Sequence, residues 1–175
     1  MQKQAVMFGA GNVGRGFLGQ LFSESGYHVA FVDIDEPLIA ALNAQGAYTI
    51  RLVDNQHTEE VRVAPVSGLL SKQVDDVAEA LSRATLAATA VGARALPHIA
   101  PTLAAGIALR ARQGLAQPLN IIVCENLKGA ASVLRGLVQE HLDAPTRAYM
   151  AAHVGFVDTV IGRMVPELPP ELKAQ

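Results

Sequence analysis

Short apolar runs alternate with longer amphipathic stretches along this chain, and that rhythm predicts an α/β fold around a mainly parallel sheet. Gln4-Ala5-Val6-Met7-Phe8 is a nearly continuous apolar run ending on glycine, as a buried first strand would. Helical spacing follows. Val13, Phe17, Leu18, Leu21 and Phe22 mark one face of a helix over residues 12–25, which Gly26 stops. His28 to Asp33 predicts a second strand that ends in an acid. Pro37 stands near the start of a second helix carrying Leu38, Ile39, Ala41 and Leu42, and Gly46 closes it. The period then changes to two. Tyr48 to Val53 and Glu60 to Val63 alternate around the polar Asp54-Asn55-Gln56-His57, which predicts an antiparallel hairpin inserted at a sheet edge. A short helix over 75–82, a buried strand over 85–91, a long helix over 96–112, a strand over 119–124 and a helix over 130–142 resume the first rhythm. Pro97 and Pro101 suit the first turns of the long helix. From His153 to Pro166 the chain is apolar without a definite period. Residues 167–175 are Pro-rich and polar, and read as a linker or tail.

Composition narrows the class. Of 175 residues, 50% are hydrophobic and only 17% charged, which excludes disorder. Aromatic residues make up 5% and tryptophan is absent, so the core must be aliphatic and rich in alanine. A net charge of −2 leaves no electrostatic footprint for nucleic acid or an anionic membrane. The apolar run at the N-terminus is far shorter than the roughly 20 residues that span a bilayer. It also lacks the long apolar region and cleavage site of a secretion signal, so a cytoplasmic protein is expected. The single cysteine excludes an internal disulfide framework, and Cys124, at the end of an apolar run, reads as a small buried hydrophobe. The histidines form no cluster by spacing. Only His153 stands where it could neighbour a site, and no metal-binding or hydrolase arrangement is recoverable.

The strongest chemical signal is Gly9-Ala10-Gly11-Asn12-Val13-Gly14, a GxGxxG between the first strand and the first helix. Gly9 permits the tight turn, Gly11 allows the backbone close to a pyrophosphate, and Gly14 lets the helix pack hard against the sheet. The unsatisfied N–H groups of the helix's first turn suit the phosphates. Asp33 ends the second strand, nineteen residues after Gly14, where its carboxylate can accept from the adenosine ribose hydroxyls and repel a 2′-phosphate. NAD is favoured over NADP. Asp35 lies past the strand and is expected to face solvent. Thr89, Val91 and Gly92 close the strand over 85–91 at the edge where ligands of doubly wound folds bind, and Gly92 either passes close to the cofactor or simply turns the chain. Glu125 orients neighbours or is solvated. Asn126, beside it, either holds a substrate oxygen or caps the next helix.

These motifs occur in an order that resembles one family. GAGNVGRG over 9–16, FVDID over 31–35, TAVG over 89–92, NIIVCENLKG over 120–129 and HVGFVDTVIGRMVP over 153–166 look like the N-terminal half of the long-chain polyol dehydrogenases. The resemblance runs to about Pro166. It implies a Rossmann-type doubly wound domain over 1–166 and, from 167 onward, a linker or the start of a helical catalytic domain of the same polypeptide. It implies NAD as cofactor and a polyol phosphate as substrate, with mannitol 1-phosphate and fructose 6-phosphate interconverted. It assigns Asn126 to the reacting oxygen, and a lysine general acid/base to the second domain. Neither Lys128 nor Lys173 matches that lysine's motif, so this chain alone is expected to bind NAD without turning over substrate. Gly162 stands where close relatives commonly carry Asp. The alternatives are a non-catalytic NAD(H)-binding or sensing module, or a dehydrogenase of another polyol.

Overall fold

The computed structural model describes residues 3–53, 57–163 and 165. Six strands form one sheet: β1 (Lys3–Phe8), β2 (Tyr27–Asp33), β5 (Val66–Leu70), β6 (Leu86–Thr89), β7 (Leu119–Val123) and β8 (Val154–Asp158). Their spatial order is β5-β2-β1-β6-β7-β8, and every pairing in it is parallel. Strand order therefore reverses between β1 and β6. Such a reversal leaves a crevice outside the carboxyl ends of the two strands, where doubly wound folds take their ligands.

Alternation along β1 divides the core between the two faces of the sheet. Val6 and Phe8 face one side with α3 (Val74–Arg83), α4 (Leu96–Arg112) and α5 (Ala130–Glu140). Ala5 and Met7 face the other with α1 (Gln20–Glu24) and α2 (Glu36–Gln45). Burial of both faces explains why these strands read as continuous apolar runs. Arg110, on α4, is only 1% exposed and carries a permanent charge into this interior. Its Nη1 donates to the carbonyls of Leu81, Ser82 and Ala84 at 3.1, 2.9 and 2.8 Å, and its Nη2 donates to that of Gln117.

Three expectations change. β3 (Tyr48–Val53) and β4 (Thr58–Val63) do pair antiparallel, but as a two-stranded sheet of their own rather than on the edge of the large one. Tyr48, Ile50 and Val63 pack against the α1–α2 side, so apolar contact and not ladder pairing seats the hairpin. The edge position belongs to β5, which the pattern did not reveal. Gly68 interrupts its apolar run because a Cβ there would meet Ile39 of α2 at 2.9 Å. The first helix is also irregular. Gly14–Gly19 forms a π-helical turn before α1, and three glycines in six residues weaken the ordinary helical preference. Finally, the stretch of indefinite period resolves into β8, preceded by α6 (Ala144–His153). Asp143 caps α6 by accepting from the Thr146 N–H. The Pro-rich 167–175 lies outside the described residues.

Candidate nucleotide-binding site

The glycine loop leaves the end of β1 in a conformation that its sequence anticipates. Gly9 has φ +95°, and a Cβ there would stand 2.4 Å from the Ala90 carbonyl oxygen. Gly14 is pressed closer still, since its Cβ would meet the Gly9 carbonyl oxygen at 2.0 Å. Nothing approaches within 4 Å of a Cβ at Gly11. The outer glycines are needed for packing, then, while the middle one leaves open space over the loop, where a side chain would intrude on a bound phosphate. Arg15 braces the loop from inside, its Nε donating to the Ala10 carbonyl at 2.6 Å. Asn12 and Val13 follow the loop at the partly exposed start of the helix.

Asp33 sits at the tip of β2, next to this loop. Its Oδ2 accepts from the Ala10 N–H at 2.6 Å, and its Oδ1 accepts from Ile34 and Asp35 N–H at 2.7 and 3.1 Å. A carboxylate offers about four acceptor positions, so these three bonds orient it and leave one free. Asp35 is more than a solvated neighbour, because its carboxylate accepts from the Leu38 N–H and caps α2.

Across the crevice, the segment after β6 abuts the glycine loop. Phe8 pairs with Thr89, and the Ala90 N–H donates to the Phe8 carbonyl at 2.9 Å. Thr89 is fully buried with its Oγ1 unpartnered, so its side chain does not reach the crevice. Val91 and Gly92 point their amides at Glu125, whose two oxygens accept them at 3.0 and 2.8 Å. Of the two readings of Glu125, orientation is the one the structure supports, because the residue is only 8% exposed.

Asn126 is exposed on the loop after β7, at the same carboxyl edge. It does not cap the next helix: Gly129 holds that position, and Asp158 accepts from the Ala131 N–H instead. Cys124 is buried, and burial together with the Glu125 charge pushes its thiol up to about 12. His153 lies against the Tyr149 ring on α6. The segment after β8 returns to the π-helical turn. Arg163 lies 4.6 Å over the Phe17 ring and donates to Gln20 Oε1 at 2.7 Å, and Val165 fills the space a Cβ on Gly16 would take. At Gly162 nothing lies within 4 Å of a Cβ, so a side chain there meets no steric bar. Among the described residues, no group of His, Cys, Asp and Glu could hold a metal ion, and no helix is long and apolar enough to cross a membrane.

A parallel sheet whose glycine loop, strand-end acid and second loop converge at the reversal of strand order defines a dinucleotide-binding domain of the Rossmann class. Residues 3–175 match the mannitol dehydrogenase Rossmann domain, and the chain belongs to that family. It is 42% identical over 163 residues to a mannitol-1-phosphate 5-dehydrogenase of Enterococcus faecalis, and 44% identical over 162 residues to one of Brevibacillus brevis. Each alignment covers 93% of this chain but 42% of the relative, so the chain spans well under half the length of the curated relatives it matches. A short-chain dehydrogenase of Rhodopseudomonas palustris shares 14% identity at a TM-score of 0.48, over 92% of this chain and 85% of that one. Membership makes the chain the NAD-binding domain of an oxidoreductase family. The cradle at Gly11 and the remaining acceptor position on Asp33 fit that cofactor.

Proposed function

We propose that this chain is the cofactor half of an NAD-dependent oxidoreductase that interconverts mannitol 1-phosphate and fructose 6-phosphate in the cytoplasm. The observation that carries the proposal is the convergence of Gly9–Gly14, Asp33 and the loop after β6 on one crevice. Residues 1–166 form the dinucleotide-binding unit, and 167–175 lead toward a catalytic domain of the same polypeptide. Gly11, Asn12 and Val13 present backbone N–H groups to the pyrophosphate. Asp33 accepts from the adenosine ribose and disfavours a 2′-phosphate. Val91 and Gly92 form the opposite wall. Bound NAD supplies the hydride acceptor for oxidation of the carbinol carbon. Asn126 holds the reacting oxygen through its side-chain amide, while the proton is taken by a lysine from the rest of the polypeptide. Calorimetric titration tests the reading. The chain is expected to bind NAD more tightly than NADP and to show no oxidation of mannitol 1-phosphate by itself. Failure to bind NAD would overturn the proposal, and robust turnover by this chain would overturn the division of labour.

A further inference from the structure

Glu125 is a buried carboxylate at the crevice for which the proposed chemistry has no use. It precedes Asn126, and it extends β7 at the point where the Cys124 N–H donates to the Thr89 carbonyl at 2.9 Å. That register sets Glu125 beside the segment leaving β6. Its two oxygens take one amide each, from Val91 at 3.0 Å and Gly92 at 2.8 Å. A paired grip of this kind needs two acceptors. Glutamine has one, and its NH2 group would face an N–H. Held from outside, Gly92 adopts φ +87°, and its carbonyl accepts the Ala95 N–H at 2.8 Å to begin the 3₁₀ turn Ala93–Ala95 that leads into α4. Ala90, just ahead of the gripped pair, is the residue whose carbonyl oxygen closes over Gly9.

We propose that Glu125 is a positioning residue: by clamping the Val91 and Gly92 amides it sets the loop after β6 against the glycine loop, and so sets the affinity for the dinucleotide. The affinity half of this inference rests on the NAD reading above. Charge-assisted bonds to backbone amides are the stronger kind, so one carboxylate suffices to hold the loop. Release of Val91 and Gly92 leaves Ala90 held to β1 only through its N–H bond to the Phe8 carbonyl, and the crevice loses part of its preformed shape.

The test compares the unsubstituted chain with Glu125→Gln, Glu125→Asp and Arg110→Met, the last weakening the fold far from the crevice. Two quantities are read below the unfolding transition: the NAD dissociation constant by calorimetry, and amide hydrogen exchange at Val91 and Gly92 by NMR. Glu125→Gln should raise the dissociation constant roughly tenfold, the factor given by a loss of about 1.4 kcal/mol. It should also speed exchange at both amides by at least about the same factor. Glu125→Asp, shorter by one methylene, should fall between. Arg110→Met should leave the dissociation constant within about twofold. The proposal is overturned if Glu125→Gln changes neither quantity, or if Arg110→Met weakens NAD binding as much. Should the unsubstituted chain fail to bind NAD, the NAD reading falls along with the affinity half, and the exchange rates still decide whether Glu125 sets the loop.

Discussion

The two ends of β6 and β7 are held by opposite charges. At their amino ends the Arg110 guanidinium donates to four backbone carbonyls, at the close of α3 and on the approaches to both strands. At their carboxyl ends the Glu125 carboxylate accepts from two backbone amides. The difference follows from which backbone groups are left over. A helix C-terminus presents surplus carbonyls, which a cation satisfies, and the approach to a helix start presents surplus amides, which an anion satisfies. The pyrophosphate of a dinucleotide is an anion, so the binding crevice belongs at the amide-rich end. The carbonyl-rich end has only the fold to hold.

Substitutions should separate the two ends, and the largest effect belongs to the end without a ligand. Arg110→Met takes a donor from four carbonyls. The Leu81 carbonyl keeps the Ala84 N–H at 3.3 Å, while the buried carbonyls of Ser82 and Ala84 lose the guanidinium. Each orphaned buried group costs about 1–3 kcal/mol, so a loss of about 3 kcal/mol or more is expected in urea unfolding, with NAD affinity kept. A loss below about 1 kcal/mol would mean that water replaces the guanidinium. Gly9→Ala puts a Cβ 2.4 Å from the Ala90 carbonyl oxygen at a positive φ. Strain of about 1–3 kcal/mol should lower stability and NAD affinity together, unlike Arg110→Met. Asp33→Ala should weaken NAD binding roughly tenfold and narrow the preference over NADP while changing stability less. An unchanged NAD-to-NADP ratio would remove Asp33 from the ribose.

The smallest effect concerns pH. His28 is lowered below its ordinary 6.5 by burial, and its Nε2 lies 2.8 Å from Ser67 Oγ. The folded state thus takes up the proton less readily than the unfolded state. The stability contributed by neutral His28 is present above pH 6.5 and is lost as the pH falls through the folded value. Urea midpoints at pH 5 and 7 should differ less in His28→Gln than in the unsubstituted chain. Equal differences would show that acid sensitivity arises elsewhere. Cys124 bears on the amide-rich end from a third direction. A thiol pushed up to about 12 remains protonated at pH 8.5, so alkylation of the folded chain should be slow there and become rapid on unfolding.

Much of this architecture was legible because its signals are local. Gly9, Gly14 and the apolar run before them mark a turn that only glycine can make, and the structure shows the two close approaches that require it. The long helix kept its expected bounds, Leu96–Arg112, with Pro97 in its first turn. β5 escaped notice because Gly68 is explained only by Ile39 of another element. The hairpin's alternation was clear, but nothing in its residues says whether its edge pairs with the large sheet. α6 went unread although Asp143 and Pro145 carry its signal, a cap and a first-turn proline.

The candidate site divides in the same way. The sequence by itself determined the glycine loop, the acid at the end of β2 and the family, because each depends on residue types at short, set spacings. Only the tertiary structure decided that Glu125 grips Val91 and Gly92, and that Thr89 turns inward. It alone showed that Asn126 caps nothing and that Arg110 closes the opposite end. Those facts depend on which backbone amides and carbonyls are left unpaired once strands distant in the chain lie side by side. That remainder exists only after the sheet has formed.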